Sequence, residues 1–285
     1  MLTVQLVNGL VLGGIYALMA LGFTMIFGIS KIGNFAYGEL MMLGAYITLV
    51  TSMYLNLNIF FALIISMVIM FGFGMLMEQA LFQHVRNMPM INTFLVSIGL
   101  MYILRNVAEL IFGTYPFSMD ATFEGVLEIG NLIISYERIF AMSITVVLIL
   151  FLYIVLYKTK IGKAVRSYSQ DPYAAKIVGI NVKQINFFIF GVSSLLAAGA
   201  GSVLGMLFSV NPEMGFLPLL KAFAIVVIGG MGSLGGAIIG GLILGQTEVL
   251  GATYISSLYQ DVFAFGLMIL ILLIKPSGLF GEVER

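Results

Sequence analysis

From Leu2 to Ser30 the chain carries no charge, and then the apolar run breaks. The segment "KIGNFAYGE", Lys31 to Glu39, brings in a cation, an asparagine, two glycines and a carboxylate before apolar residues resume. About 20 apolar residues cross a bilayer as helix. By that measure spans lie at roughly 2–29, 37–55, 59–83, 91–113, 139–157, 187–210, 217–233, 236–251 and 258–275. The pieces at 217–233 and 236–251 are short and share the turn "GGMGSLGG", Gly229 to Gly236. They read as two tightly joined spans or as one re-entrant hairpin. The expected fold is all-α, one polytopic transmembrane domain over 1–285 with eight or nine crossings.

Composition sharpens this picture. The chain is 61% hydrophobic and 9% charged, against roughly 45–50% and about 25% in soluble domains. Mean hydropathy is +1.11. Most side chains must therefore face lipid or other helices. The formal net charge is zero, which predicts no nucleic-acid partner. There is no cysteine and a single His84, so disulfides, thiolate chemistry and a histidine metal site are not expected, nor is a cofactor. The first basic residue is Lys31, so the N-terminus lacks the positive region of a signal peptide, and the first span is expected to be retained.

Charge sets the expected orientation. Six of the 13 basic residues, Lys158, Lys160, Lys163, Arg166, Lys176 and Lys183, fall in the loop at about 158–186, which is therefore placed in the cytoplasm. The loop at about 114–138 carries Asp120, Glu124, Glu128 and Glu137 against Arg138 alone and belongs outside. Lys31, His84 with Arg86, and Lys275 then lie inside, with the N-terminus outside.

Sliding the chain by 177 residues places Gly14, Gly22, Gly28, Asn34 and Gly38 on Gly191, Gly199, Gly205, Asn211 and Gly215. The first span runs inward and the span at 187 runs outward, so the expected relation is an inverted repeat of the kind transporters use. Broken helices expose backbone groups that membranes tolerate only where they line protein or water. Asn34, Gly38, Glu39, Asn211 and Gly215 are accordingly candidate pathway or gate residues, with the two breaks expected on opposite membrane faces.

Other features admit a plainer reading beside the functional one. Glycine pairs four apart, including Gly9/Gly13 and Gly241/Gly245, suit close helix packing as well as helix sliding. Arg105 and Glu109 are four apart within one span and are expected to form a buried, mutually neutralising pair. Lys221, Glu248 and Asp261 lie near span ends and show no recognisable paired-carboxylate site. In the basic loop, Asp171 suits an N-cap, Pro172 the first helical position, and Gly179 a C-terminal stop, with Ala174 and Ala175 between. This predicts a short amphipathic helix along the membrane, held by anionic lipid or, as the loop's length favours, docked on a cytoplasmic partner.

Four blocks carry a resemblance. "NGLVLGGIYALMALGFTMIFGISKIGNFAYGELMMLGAYI", "KAVRSYSQDPYAAKIVGINVKQINFFIFGVSSLLAAGAGSVLG", "KAFAIVVIGGMGSLGGAIIGGLILGQTE" and "KPSGLFG" occur in order and span nearly the whole chain. They resemble the LivH-type permeases of branched-chain amino-acid ABC transporters. Permeases for urea and short amides are closely similar, and these blocks do not separate them. The resemblance implies a second, LivM-type permease, two cytoplasmic ATPases and a periplasmic or otherwise extracytoplasmic substrate-binding protein, all acting at the cytoplasmic (inner) membrane. It also implies that the helix at Asp171 to Gly179 is the coupling element inserted into an ATPase. No Walker motif occurs, so ATP hydrolysis is expected on another chain and not here. An ion-coupled carrier would want convergent carboxylates at mid-membrane, and a membrane enzyme a nucleophile–base or metal set.

Overall fold

In the computed structural model, which describes residues 2–119, 125–129 and 132–281, eight helices are long and apolar enough to span a membrane. They are α1 (Leu2–Thr24, continued by the π-turn Met25–Ile29), α2 (Tyr37–Leu55) and α3 (Ile59–Met77, continued through the π-turn Glu78–Phe82 into the short α4, Gln83–Val85). Then come α5 (Met90–Phe112), α6 (Tyr136–Lys158), α9 (Val182–Leu207), α11 (Leu234–Tyr254) and α12 (Gln260–Ile274, entered by the turn Ser257–Tyr259). Two helices of the basic loop, α7 (Lys160–Gln170) and α8 (Pro172–Ile177), lie between α6 and α9. A hairpin, β1 (Val126–Ile129) with β2 (Leu132–Ser135), precedes α6. Asp120 and Glu124 of the acidic loop fall outside the described residues.

The two short pieces anticipated between 217 and 251 resolve unequally. The second is the full span α11. The first is α10 (Phe216–Gly229), whose 14 residues extend about 21 Å at 1.5 Å per residue. That is too short for the roughly 30 Å hydrocarbon core, so α10 starts part-way through the membrane.

α1 and α9 form the centre of the bundle. Of their apolar stretches 78% and 83% is buried, against 17% for α5 and 6% for α12 at the periphery. The two central helices cross antiparallel. Ser193 Oγ donates to the Gly22 carbonyl at 2.6 Å, and Ser30 Oγ to Asn186 Oδ1 at 2.8 Å. Small residues also bring α11 close to α1: a Cβ on Gly241 would lie 2.5 Å from the Ala17 nitrogen, and one on Gly13 would lie 2.9 Å from the Leu242 Cα.

The 177-residue offset is visible in the packing. It maps α1 onto α9, α2 onto α10 and α3 onto α11. α1 packs chiefly on α11, and its counterpart α9 packs on α3. The α2–α3 contact recurs as α10–α11, and α1–α10 as α9–α2. An antiparallel centre with matched flanks is the packing an inverted repeat gives.

The breaks before α2 and α10 match atom for atom. Asn34 Oδ1 accepts from the Ala36 N–H at 3.0 Å, and the Asn34 carbonyl from the Tyr37 N–H at 3.4 Å. Asn211 Oδ1 accepts from the Glu213 N–H at 3.0 Å, and the Asn211 carbonyl from the Met214 N–H at 3.2 Å. These are the same Asn turn, which satisfies amides of the chain where each helix is interrupted. The breaks do not sit on opposite faces as expected. Gly38 lies in backbone contact with Gly215, and a Cβ on either would collide with the other's main chain. Both half-helices begin at one junction because each break folds back into the bundle.

Gly38→Ala and Gly215→Ala should each destabilise the protein by about 1–3 kcal/mol through overpacking. The double change should cost less than the sum, because one contact is lost only once. Gly72→Ala and Gly99→Ala, with nothing within 4 Å of the added carbon, should be neutral or slightly stabilising. Thermal unfolding in detergent separates the two groups; additive losses would show that Gly38 and Gly215 do not share a contact.

Candidate functional site

The junction is flanked by buried charge on two sides. On the first, Glu39 sits in the first turn of α2, 1% exposed, where the helix dipole favours a carboxylate. Its Oε1 accepts from Arg105 Nη2 at 2.8 Å and Nε at 3.2 Å. The same guanidinium lies 5.7 Å from the ring centroid of Phe216, at the first position of α10. Arg105 on α5 thus bridges the starts of both half-helices. The expected Arg105–Glu109 pair is not formed: Glu109 is exposed and Arg105 turns inward to Glu39. A pair four apart on one helix contributes only about 0.2–0.5 kcal/mol. Stranding a buried charge costs about 3–5 kcal/mol, so Glu39 takes the cation.

On the second side, Lys221 projects from the second turn of α10 into a cluster that sequence spacing did not reveal. Its Nζ lies 2.5 Å from Glu248 Oε1 on α11, 3.0 Å from Asp261 Oδ1 on α12, and 3.0 Å from the Tyr16 hydroxyl on α1. Tyr16 donates to Glu248 Oε1 at 3.0 Å, and Gln260 Nε2 donates to it at 2.5 Å. Glu248 is fully buried, whereas the Asp261 side chain is 47% exposed. Two carboxylates do converge here, contrary to the reading of the chain. Their shared site already holds an ammonium group, so it is not an open cation site.

Between these two clusters lies a cavity of about 650 Å³. Tyr16, Lys221 and Gln260 line one side, Arg105 and Asn211 another, and Leu12, Leu204, Phe208 and Phe216 supply apolar surface. Of the candidate pathway residues, Asn211 borders this space. Asn34, also 1% exposed, is buried in the turn before α2 and does not border it. Gly38 and Gly215 form the contact at the junction.

The other end of the bundle gathers the basic residues. α7 packs on the last turn of α1, and Leu279 and Phe280 of the C-terminal segment bond back to Ile228 and Gly229 of α10. Glu78, fully buried, pairs with Arg86. Asn186 joins three elements, accepting from Ser30 Oγ and donating through Nδ2 to the Tyr168 hydroxyl of α7 at 3.2 Å. The short helix α8 forms as its caps predict: Asp171 Oδ1 accepts from the Tyr173 and Ala174 N–H groups, Pro172 is the first helical residue, and Gly179 follows at φ +86°. Ala175 faces inward at 3% exposure, while Tyr173, Ile177 and Val178 form an apolar crest at 70–75% exposure. The crest, and not Ala175, is the surface this helix offers.

The profile of the branched-chain amino acid transport system / permease component family matches residues 5–272. This chain belongs to that family. The high-affinity branched-chain amino acid transport system permease protein BraD of Pseudomonas aeruginosa is 36% identical, over 99% of this chain and 97% of BraD. The corresponding LivH of Escherichia coli K12 is 35% identical, over 99% and 96%. The probable branched-chain amino acid transport permease protein LivH of Methanocaldococcus jannaschii is 27% identical, over 96% and 91%. Among solved structures, PsaBC from Streptococcus pneumoniae in complex with Fab shares the fold at TM-score 0.50 and 15% identity, over 98% of this chain and 93% of that one. The permease is accordingly a multi-pass membrane protein with a cavity of mixed apolar and charged lining at its central junction.

In this permease Arg105→Leu should strand Glu39 and cost about 3–5 kcal/mol, read as lost yield and a lower unfolding temperature. Adding Glu39→Leu should restore most of the loss, and adding Glu109→Leu should restore none. Rescue by Glu109→Leu instead would reinstate the pairing expected from the sequence.

Proposed function

We propose that the chain is the membrane-spanning subunit of an ATP-driven importer for branched-chain amino acids in a bacterial or archaeal cytoplasmic membrane. The full-length similarity to named branched-chain amino acid permeases carries this reading. In it, 1–285 is one permease domain, and the basic end, with α7 and α8, faces the cytoplasm. A second, LivM-type permease completes the pathway, two ATPases bind at the cytoplasmic end, and an extracytoplasmic binding protein delivers the solute.

Two features of the fold support this division of labour. The apolar crest Tyr173, Ile177 and Val178 is exposed at the basic end, in the loop after the span α6. Exposed apolar residues of that kind suit a protein groove. From there Tyr168, Asn186 and Ser30 form a hydrogen-bonded line to the break before α2. A push on α7 and α8 is therefore passed to the end of α1 and the start of α9, and in this reading the junction at Gly38 and Gly215 is where the pathway opens and closes.

The test is uptake by the reconstituted complex. Leucine should be accumulated with ATP, and urea and short amides should not; uptake of urea in place of leucine would reassign the permease. Ile177→Asp should reduce both copurification of the ATPases and uptake by about tenfold or more, as loss of a central docking contact does, while the permease stays inserted. Full copurification and transport in this variant would place the ATPase contact elsewhere.

A further inference from the structure

The basic end carries charge that the fold itself does not answer. Six lysines and arginines lie between 158 and 186 against one acidic side chain, Asp171, whose Oδ1 is taken up in capping α8. Among the described residues no carboxylate lies within ion-pair distance of Lys158, Lys160, Lys163 or Arg166. Lys160 and Lys163 occupy the first turn of α7, the end where the helix dipole disfavours a cation. Cations in that position call for an anion from outside the chain.

The position of α7 says which anion. This helix is pressed on the last turn of α6: a Cβ on Gly162 would collide with the Val155 and Leu156 carbonyl oxygens. Gly162, Val165 and Tyr168 turn inward, whereas Lys160, Lys163, Ser167 and Gln170, three or four apart, share an exposed face. Beside that face Arg166 holds its guanidinium carbon 4.7 Å from the ring centroid of Tyr157 on α6. Tyr157 is not on the packed side of α6, which is Leu148, Leu152 and Leu156. It is 44% exposed and stacks on Tyr153, 53% exposed, with ring centroids 4.8 Å apart. Leu150 and Ile154 are exposed on this outer part of the span too. In a bilayer that surface meets acyl chains, and tyrosines at the end of a span mark the headgroup level. The cations of α7 thus stand directly over a lipid-facing surface.

We propose that the corner between α6 and α7 is a binding site for an anionic phospholipid of the cytoplasmic leaflet. Arg166, which has no hydrogen-bond acceptor among the described residues, turns its planar fork to the phosphate oxygens. Lys158, Lys160 and Lys163 add charge around the headgroup, and the acyl chains run along Tyr153 and Ile154. An acidic protein surface fits less well, because it would have to enter the membrane edge beside Tyr157 to reach the same cations. A lipid held here fixes α7, and through the bonds of Tyr168 to Asn186 and of Asn186 to Ser30 it fixes the ends of α9 and α1. From the proposed function this inference takes only the placing of the basic end in the cytoplasm, and it is independent of the solute carried.

The experiment titrates the delipidated, assembled permease complex in detergent with phosphatidylglycerol, or with phosphatidylcholine of the same acyl chains, and counts retained lipid by native mass spectrometry. Phosphatidylglycerol should be retained saturably and raise the unfolding temperature; phosphatidylcholine and inorganic phosphate should do neither. Lys160→Gln with Lys163→Gln should weaken phosphatidylglycerol binding about tenfold or more, and Arg166→Gln alone about fivefold, as the loss of two charges and of one charge beside an anionic headgroup implies. Lys176→Gln with Lys183→Gln, on α8 and α9, removes as much charge and should change nothing. Unfolding temperatures without added lipid report that the variants are folded. Equal retention of the two lipids, or equal weakening by the two double variants, would overturn the site. So would full stabilisation by inorganic phosphate, which would mark an anion site without a lipid. Loss of ATPase copurification from the Lys160/Lys163 variant without added lipid would assign these cations to a protein partner instead. A complex that carries another solute would reassign the transport function and leave every one of these outcomes readable.

Discussion

Two helices that begin inside a membrane protein must find partners for their free amides without water, and the rest of this structure follows from how that is done. A single buried amide left unpaired costs several kcal/mol in a hydrocarbon surround. The breaks that lead into α2 and α10 meet part of this requirement in the same way, with Asn34 and Asn211 folding their side chains over the residue two positions on. Side-chain bulk would keep the two starts apart, and glycine at 38 and 215 removes it. Two positive helix ends then face one another, and the charges around them, Glu39 with Arg105 and Lys221 with Glu248 and Asp261, settle the local balance.

This arrangement brings together two kinds of contact. Away from the junction α1 packs on α11, and α9 on α3, through glycine and apolar surfaces that fit only one way. At the junction the contacts are hydrogen bonds, ion pairs and bare backbone, which can be exchanged for others of similar energy. At the basic end, Tyr168, Asn186 and Ser30 join α7, α9 and the end of α1 by hydrogen bonds.

Features governed by local sequence were legible in advance. Apolar runs gave the spans, since length and lipid leave little choice. Asp171, Pro172 and Gly179 gave α8, because caps act within one turn. The offset repeat of Gly and Asn gave the corresponding breaks. Features set by which helix faces which were not legible. Arg105 and Glu109 share a helical face by arithmetic, yet the partner lies 66 positions back, at Glu39. Lys221, Glu248 and Asp261 each looked like a residue reaching for an interface, and only the fold of α10 to α12 around α1 brings them together. The one available signal was their cost: three ionisable groups in apolar surroundings need one another. The breaks were placed on opposite faces because a span was taken to cross the membrane fully, which α10 does not. Ala175 was expected within the helix that docks, and the structure uses its small size to seat α8.

The central claim is that the junction of Gly38 with Gly215 is the moving part. Spin labels at Ser209, on the break before α10, and at Thr253, at the far end of α11, report its geometry across the cavity mouth. In the assembled complex the distance distribution should shift between the nucleotide-free and ATP-trapped states, while a pair on α1 and α11 at Gln5 and Ile243 stays fixed. A Ser209–Thr253 distance that is the same in both states would contradict the account.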